Sequence, residues 1–251
     1  CVGRLRVLER LFHLRAGARS EGPIADQGVI VVASARALMQ RTLPVRQYRV
    51  SRYELHTGQM LDLDRTLTRW TGLGYEPVTV VEAPGQFSHR GGILDIFPPA
   101  EHMPVRVELF GNVVDSLRRF DPATQRSRDR AERVAITAAR EALPRHGPRV
   151  ADRVLSQIDA ELPADVLGEL EKHHRGLESG MPFPGLEYYL PYFYSSSTSV
   201  LDYLPGEALV ATDDPQDLAG VWSDLELEAI GLREAAEKAG LLPADYPLPY
   251  I

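Results

Sequence analysis

The chain has 251 residues, 44% of them hydrophobic, which is enough to bury one or two full cores and favours two modest domains. A formal charge of −7 argues against a broad non-specific nucleic-acid surface, since binding a polyanion needs clustered cations. No window approaches 18 uninterrupted apolar residues, which argues against a membrane-spanning helix, and the single cysteine fits a cytoplasmic origin better than an oxidising one. The opening Cys1-Val2-Gly3-Arg4 has neither an initiator Met nor the plan of a signal peptide, so a fragment is expected.

In chain order, Val2, Leu5, Leu8, Phe12 and Leu14 recur at helical spacing and predict a helix over 2–15. The run GVIVVASARALMQR reads as a buried strand over Gly28–Ala33 and a short helix stopped at Pro44. A lone strand of this kind needs neighbours, so it is expected to complete a sheet with segments from elsewhere. Leu63, Leu67 and Trp70 share a helix face, with Gly74 as its C-terminal cap. Four or five short strands are predicted next, over Val78–Glu82, Gln86–Arg90, Ile93–Phe97, Val105–Phe110 and Val113–Phe120, with a hairpin turn at Gly111-Asn112. Helical periodicity returns at Val150, Val154 and Ile158 and again over Val166–His173, broken by Pro163. The aromatic, proline-rich stretch around Tyr188–Tyr194 reads as core packing, because apolar neighbours and not cations surround it. Ser195–Ser199 reads as an exposed loop, Ala208–Ala211 as a strand, and Asp213-Asp214-Pro215 as the start of a last helix with Leu218, Trp222, Leu225 and Ala229 on one face.

Few enzymatic chemistries find their residues here. Of the 28 lysines and arginines only Lys172 and Lys238 are lysine, and neither follows the glycine-rich turn of a P-loop. His173 and His174 are adjacent, so on a helix they point about 100° apart and do not converge on a metal. In Gly176-Leu-Glu-Ser-Gly180 the serine sits in the wrong place for a nucleophile elbow. Asp95 and Glu108 read as partners of Arg106 or Arg118 before they read as a carboxylate pair. What remains is a surface. Alternation along Val105–Phe110 turns Val105, Val107 and Leu109 inward and Arg106, Glu108 and Phe110 outward. Phe110 is then either an exposed ring beside an arginine, a composition favoured at protein interfaces, or it packs under the hairpin or against the preceding helix. Arg90, just before Gly91-Gly92, extends the same patch.

The residues Phe87-Ser-His-Arg90-Gly91, Asp95-Ile96-Phe97-Pro98, Val105-Arg106-Val107-Glu108-Leu109-Phe110 and Asp115-Ser116-Leu117-Arg118-Arg119-Phe120-Asp121 form one long pattern. It resembles the homology module shared by bacterial transcription-repair coupling factors and the nucleotide excision repair protein UvrB, and the likeness extends outward over nearly the whole chain. The short link reading Glu187-Tyr188-Tyr189-Leu190-Pro191-Tyr192-Phe193 departs from UvrB and sides with the coupling factors. The resemblance implies an α/β fold: a degenerate P-loop, helicase-like domain over 1–45 and 144–251, split by an inserted α+β domain with an antiparallel sheet over 46–143. It implies a non-enzymatic module without cofactor whose insert binds the excision nuclease component UvrA, with contact positions on Arg90, Arg106 and Phe110. RNA polymerase and DNA would be engaged through domains outside this chain, and one of those domains would mask the UvrA surface. Two other readings stand beside this one: a piece of a UvrB-like ATP-dependent damage-verification enzyme, and a scaffold whose insert surface is unused.

Overall fold

The computed structural model describes residues 2–16, 29–156 and 162–241. Helix α1 (Val2–Arg15) buries Leu5, Leu8 and Leu11, one face at helical spacing. Residues 29–34 then belong to no strand, with Ile30 89% and Val32 93% exposed, so the strand expected over Gly28–Ala33 does not form among the described residues; Gly28 lies outside them. A strand exists only where a neighbour takes up its N–H and C=O groups, and no described strand pairs with this segment. Ser34 accepts a hydrogen bond from the Ala37 N–H and so caps α2 (Ala35–Met39), and α3 (Val45–Ser51) starts straight after Pro44.

Strand β1 (Tyr53–His56) leads to α4 (Leu63–Gly72), which is capped by Asp62 accepting from the Arg65 N–H. The chain leaves α4 through Gly74 at φ +92°, where a Cβ would lie 2.8 Å from the Arg140 Cβ. Six strands follow in one sheet: β2 (Glu76–Pro77), β3 (Gln86–Arg90), β4 (Ile93–Ile96), β5 (Val105–Phe110), β6 (Val113–Phe120) and β7 (Ser127–Ala131). They lie in sequence order and pair antiparallel, except for the short parallel contact of β2 with β3. Strand β8 (Arg133–Ile136) returns to pair with β1 in a separate antiparallel ribbon. The strand expected over Val78–Glu82 is instead a loop, replaced by the two-residue β2; β1 and β8, four residues each, are too short for a periodic signal, and β7 is almost wholly polar.

Trp70 and Tyr75 are fully buried against the inner face of the sheet, where Phe87, Leu94, Val107 and Leu117 meet them. The Trp70 Nε1 donates to the Tyr53 hydroxyl at 2.6 Å, and the Arg69 guanidinium lies 3.5 Å over the Tyr53 ring. The same buried cluster continues into Leu5 and Leu8 of α1 and into Tyr189, Tyr192, Tyr194 and Tyr203. Two of those tyrosines end on carbonyls: Tyr194 donates to Glu141 at 2.8 Å and Tyr203 to Leu43 at 2.7 Å, so their polar tips are satisfied inside the core. Only Tyr188 of the cluster is well exposed.

After a short turn at Pro144–His146 come α5 (Pro148–Leu155), α6 (Ala164–Ser179) and α7 (Leu190–Phe193); Ile158, expected to continue the first of these, lies outside the described residues. His173 is not a solvated helix end: it bonds the Tyr189 hydroxyl at 2.9 Å and packs on Phe183. Ser199 is buried and caps the turn at Val200–Tyr203, so only Ser195–Ser197 of the serine run are exposed. The strand expected over Ala208–Ala211 likewise does not form, and Leu209 is fully exposed. The segment leads through Asp214, whose side chain accepts from the Asp217 N–H, into α8 (Pro215–Lys238), which buries none of its residues. Helix α8 packs on α2, where Arg36 stands 3.7 Å from Glu228.

Both the Gly74 turn and the half-buried His146 should register in stability. Gly74→Ala combines positive φ with a collision at Arg140 and is expected to cost about 1–3 kcal/mol of unfolding free energy by urea denaturation. Burial, with Arg145 and Arg149 adding to it, holds His146 down at about 4. Its folded pKa is thus below the unfolded value of 6.5, so its contribution is intact above that value and is lost as the pH falls toward about 4. His146→Gln is therefore expected to lose less melting temperature than the wild type between about pH 7 and about pH 4.5.

Candidate functional site

The sheet has two unlike faces, set by the pleat of β5. Val105 and Val107 are fully buried inward and Leu109 packs on the same core, while Arg106, Glu108 and Phe110 point outward. Phe110 is 82% exposed, which decides between the two readings open from the sequence: the ring packs neither under the hairpin nor against the preceding helix.

Registration builds the outward face as rows. Ser88, Asp95, Arg106, Arg118 and Arg130 stand opposite one another on β3 to β7. The next row holds Arg90, Ile93, Glu108 and Ser116. At the turn end, Phe110 pairs with Val113, and Val113 bridges to Met60. A bulge in β6 absorbs Asp115, so that Glu108 faces Ser116 while Leu109 faces Val114 and alternation along β5 is undisturbed. Arg90, Arg106 and Phe110, read from the sequence as one patch, therefore share one face.

Their surroundings differ. Arg106 donates from Nε and Nη2 to the two carboxylate oxygens of Asp95, both at 2.8 Å, and lies 4.7 Å over the Phe120 ring. The hydrogen bonds to Asp95 raise its pKa further, so it is a permanently charged and fixed group. Phe120 belongs to a small second core with Val81, Phe97 and Val78, formed where the loop after β2 folds over the outward face. Arg90 reaches that loop and donates to the Thr79 carbonyl, and its side chain is otherwise exposed. Arg118 stands 3.8 Å from Glu108, with its Nε lacking a hydrogen bond. Asp95 and Glu108 thus serve arginines and form no acid–base pair with each other. The sequence had not marked Met60 or Arg130; the alternation Arg128–Arg130 was the available signal, unreadable without knowing that β7 was a strand.

The arrangement sets charged groups and an exposed aromatic ring side by side, a composition suited to binding. Residues 53–141, from β1 to just past β8, match the family described as "UvrB interaction domain", and this part of the fold is an interaction domain. The chain is also 33% identical to the transcription-repair-coupling factor of Myxococcus xanthus over 95% of its own length and 20% of the relative's. Against the same factor of Bacillus subtilis it is 32% identical, over 90% of the chain and 19% of the relative, and against that of Staphylococcus aureus 30%, over 82% and 18%. It belongs to the transcription-repair-coupling factor family and spans about a fifth of the length of these relatives. Among the described residues no helix is long and apolar enough to cross a membrane.

The ion pair and the exposed ring should separate cleanly by mutation. Asp95→Ala strands a half-buried arginine and is expected to lower unfolding free energy by about 1–3 kcal/mol. Phe110→Ala should stay within about 0.5 kcal/mol of wild type in the same urea titration.

Proposed function

We propose that this chain is a non-enzymatic docking module of a transcription-repair-coupling factor that recruits UvrA, a component of the excision nuclease, through Arg90, Arg106 and Phe110. One observation carries the reading: within the stretch that matches an interaction domain, an 82% exposed phenylalanine shares a sheet face with both arginines. Phe110 would fill an apolar pocket on UvrA. Arg90 would meet a carboxylate there, and Arg106, held by Asp95 through Nε and Nη2 and by the Gln125 carbonyl through Nη1, would present the part of its guanidinium that stays exposed. RNA polymerase and DNA would be engaged by parts of the cytoplasmic full-length protein outside this chain, one of which would cover the face until it is needed.

The flanking segments support the wider fold reading, in which 1–45 and 144–251 are halves of a degenerate helicase-like α/β domain and 46–143 is the insert. Residues 29–34 and 208–212 are each largely apolar and belong to no strand, each leads to a helix through a capping side chain, and those two helices, α2 and α8, touch. This is the form of two strand–helix units of a sheet whose other strands lie elsewhere.

Calorimetric titration with purified UvrA tests the docking, with circular dichroism as the check on folding. Saturable binding of the wild type is expected, weakened by about 1–4 kcal/mol in Phe110→Ala and in Arg90→Glu. A folded wild-type chain that takes up no UvrA would sink the proposal.

A further inference from the structure

The three-residue site leaves most of the outward face unused, and that remainder is patterned. Register sets Arg106, Arg118 and Arg130 side by side on three neighbouring strands of a chain whose net charge is −7. Like charges directly opposite one another are unfavourable in a sheet unless something answers them. Here the answer weakens along the row: Arg106 has both oxygens of Asp95, Arg118 has Glu108 at 3.8 Å, and Arg130 has no ion pair among the described residues. Arg118 and Arg130 also line a groove of about 870 Å³, together with Arg133, between the sheet and the β1–β8 ribbon. At the other end of the face, Met60 (78% exposed), Val113 and Phe110 make a continuous apolar row, with Ile93 close by on β4.

We infer that the docking surface runs the full width of the sheet, with Arg118 and Arg130 as its electrostatic arm and Met60 and Val113 as the margin of the Phe110 anchor. The partner it fits is a protein face that carries carboxylates beside an apolar pocket. A nucleic-acid backbone fits less well. Glu54, Asp115 and Glu132 line the same groove and repel a continuous run of phosphates, whereas carboxylates placed singly can meet the arginines and avoid these acids. The apolar row has no counterpart on a phosphate backbone. This inference rests on the docking reading above and adds residues that reading does not use.

The test is a kinetic one, with UvrA as the probe and a DNA duplex of about 30 base pairs as the control, long enough to offer a continuous run of phosphates. Arg130→Glu is the primary variant because Arg130 is exposed, and Arg118→Gln is the second because it leaves Glu108 without a new like charge. Both are expected to slow association with UvrA, Arg130→Glu by about tenfold at low salt, and to flatten its salt dependence with dissociation little changed. Phe110→Ala should instead speed dissociation. If both charge variants associate like the wild type while Phe110→Ala still fails, the electrostatic arm is wrong and the docking reading stands. If the variants keep UvrA but lose the duplex, the row serves phosphate and the inference is overturned. If the wild type binds no UvrA, both readings fall together.

Discussion

The constraint on which this structure turns is the two-residue period of β5. Val105 and Val107 must face Trp70 and its neighbours to complete the core, and that obligation carries Arg106, Glu108 and Phe110 to the other side. A slip of one residue would bury a guanidinium and a carboxylate and expose both valines. Burial of the inner set therefore fixes the outer set, and the face proposed for docking is a by-product of core formation. The β6 bulge protects this arrangement by taking the extra residue at Asp115 on the partner strand, away from β5.

The same geometry explains why the arginines do different things. Asp95 sits directly opposite Arg106, near enough for two parallel hydrogen bonds, and Phe120 supplies an aromatic surface beneath. Arg106 is thus held in one orientation before any partner arrives, which reduces the ordering cost of association. Arg90 lies where the β3 edge meets the loop after β2, and it links the face to the small core of Val81, Phe97 and Phe120. Phe110 lies beyond both, at the mouth of the hairpin, where nothing folds over it. Fixed charge near an exposed ring is the anatomy of a binding surface, in which a few desolvated anchors dominate.

Around the sheet, the flanking helices contribute to one continuous core through Leu5, Tyr48, Tyr189 and Tyr203, and they also expose a good deal of apolar surface. Ile30, Val32, Leu209 and Val210 project from segments outside any strand, and Leu227 and Leu232 lie open on α8. The chain covers about a fifth of the length of its relatives, so partners for such surfaces have room elsewhere in proteins of this family. The contrast with β3–β6 is instructive: those strands have their neighbours within the chain and form a sheet, whereas the equally apolar VIVV run has none among the described residues and forms no ladder.

Read alone, the sequence was most legible where periodicity and capping act over a few residues. The helix at 2–15, the four strands from Gln86 to Phe120, the hairpin at Gly111 and the start of the last helix at Asp214-Pro215 all follow from local signals, as does the division of β5 into an inner and an outer set. Strands β1, β7 and β8 were not legible, because β1 and β8 have only four residues each and β7 is almost wholly polar, so that only pairing identifies them. Tertiary structure alone decided which residues stand opposite one another across that face, that Arg106 is spoken for by Asp95, that Phe110 is bare, and that Arg118 and Arg130 extend the row. Those facts depend on which residue of one strand stands opposite which residue of the next. Register is set by the burial of all the strands together, so no local stretch of sequence contains it.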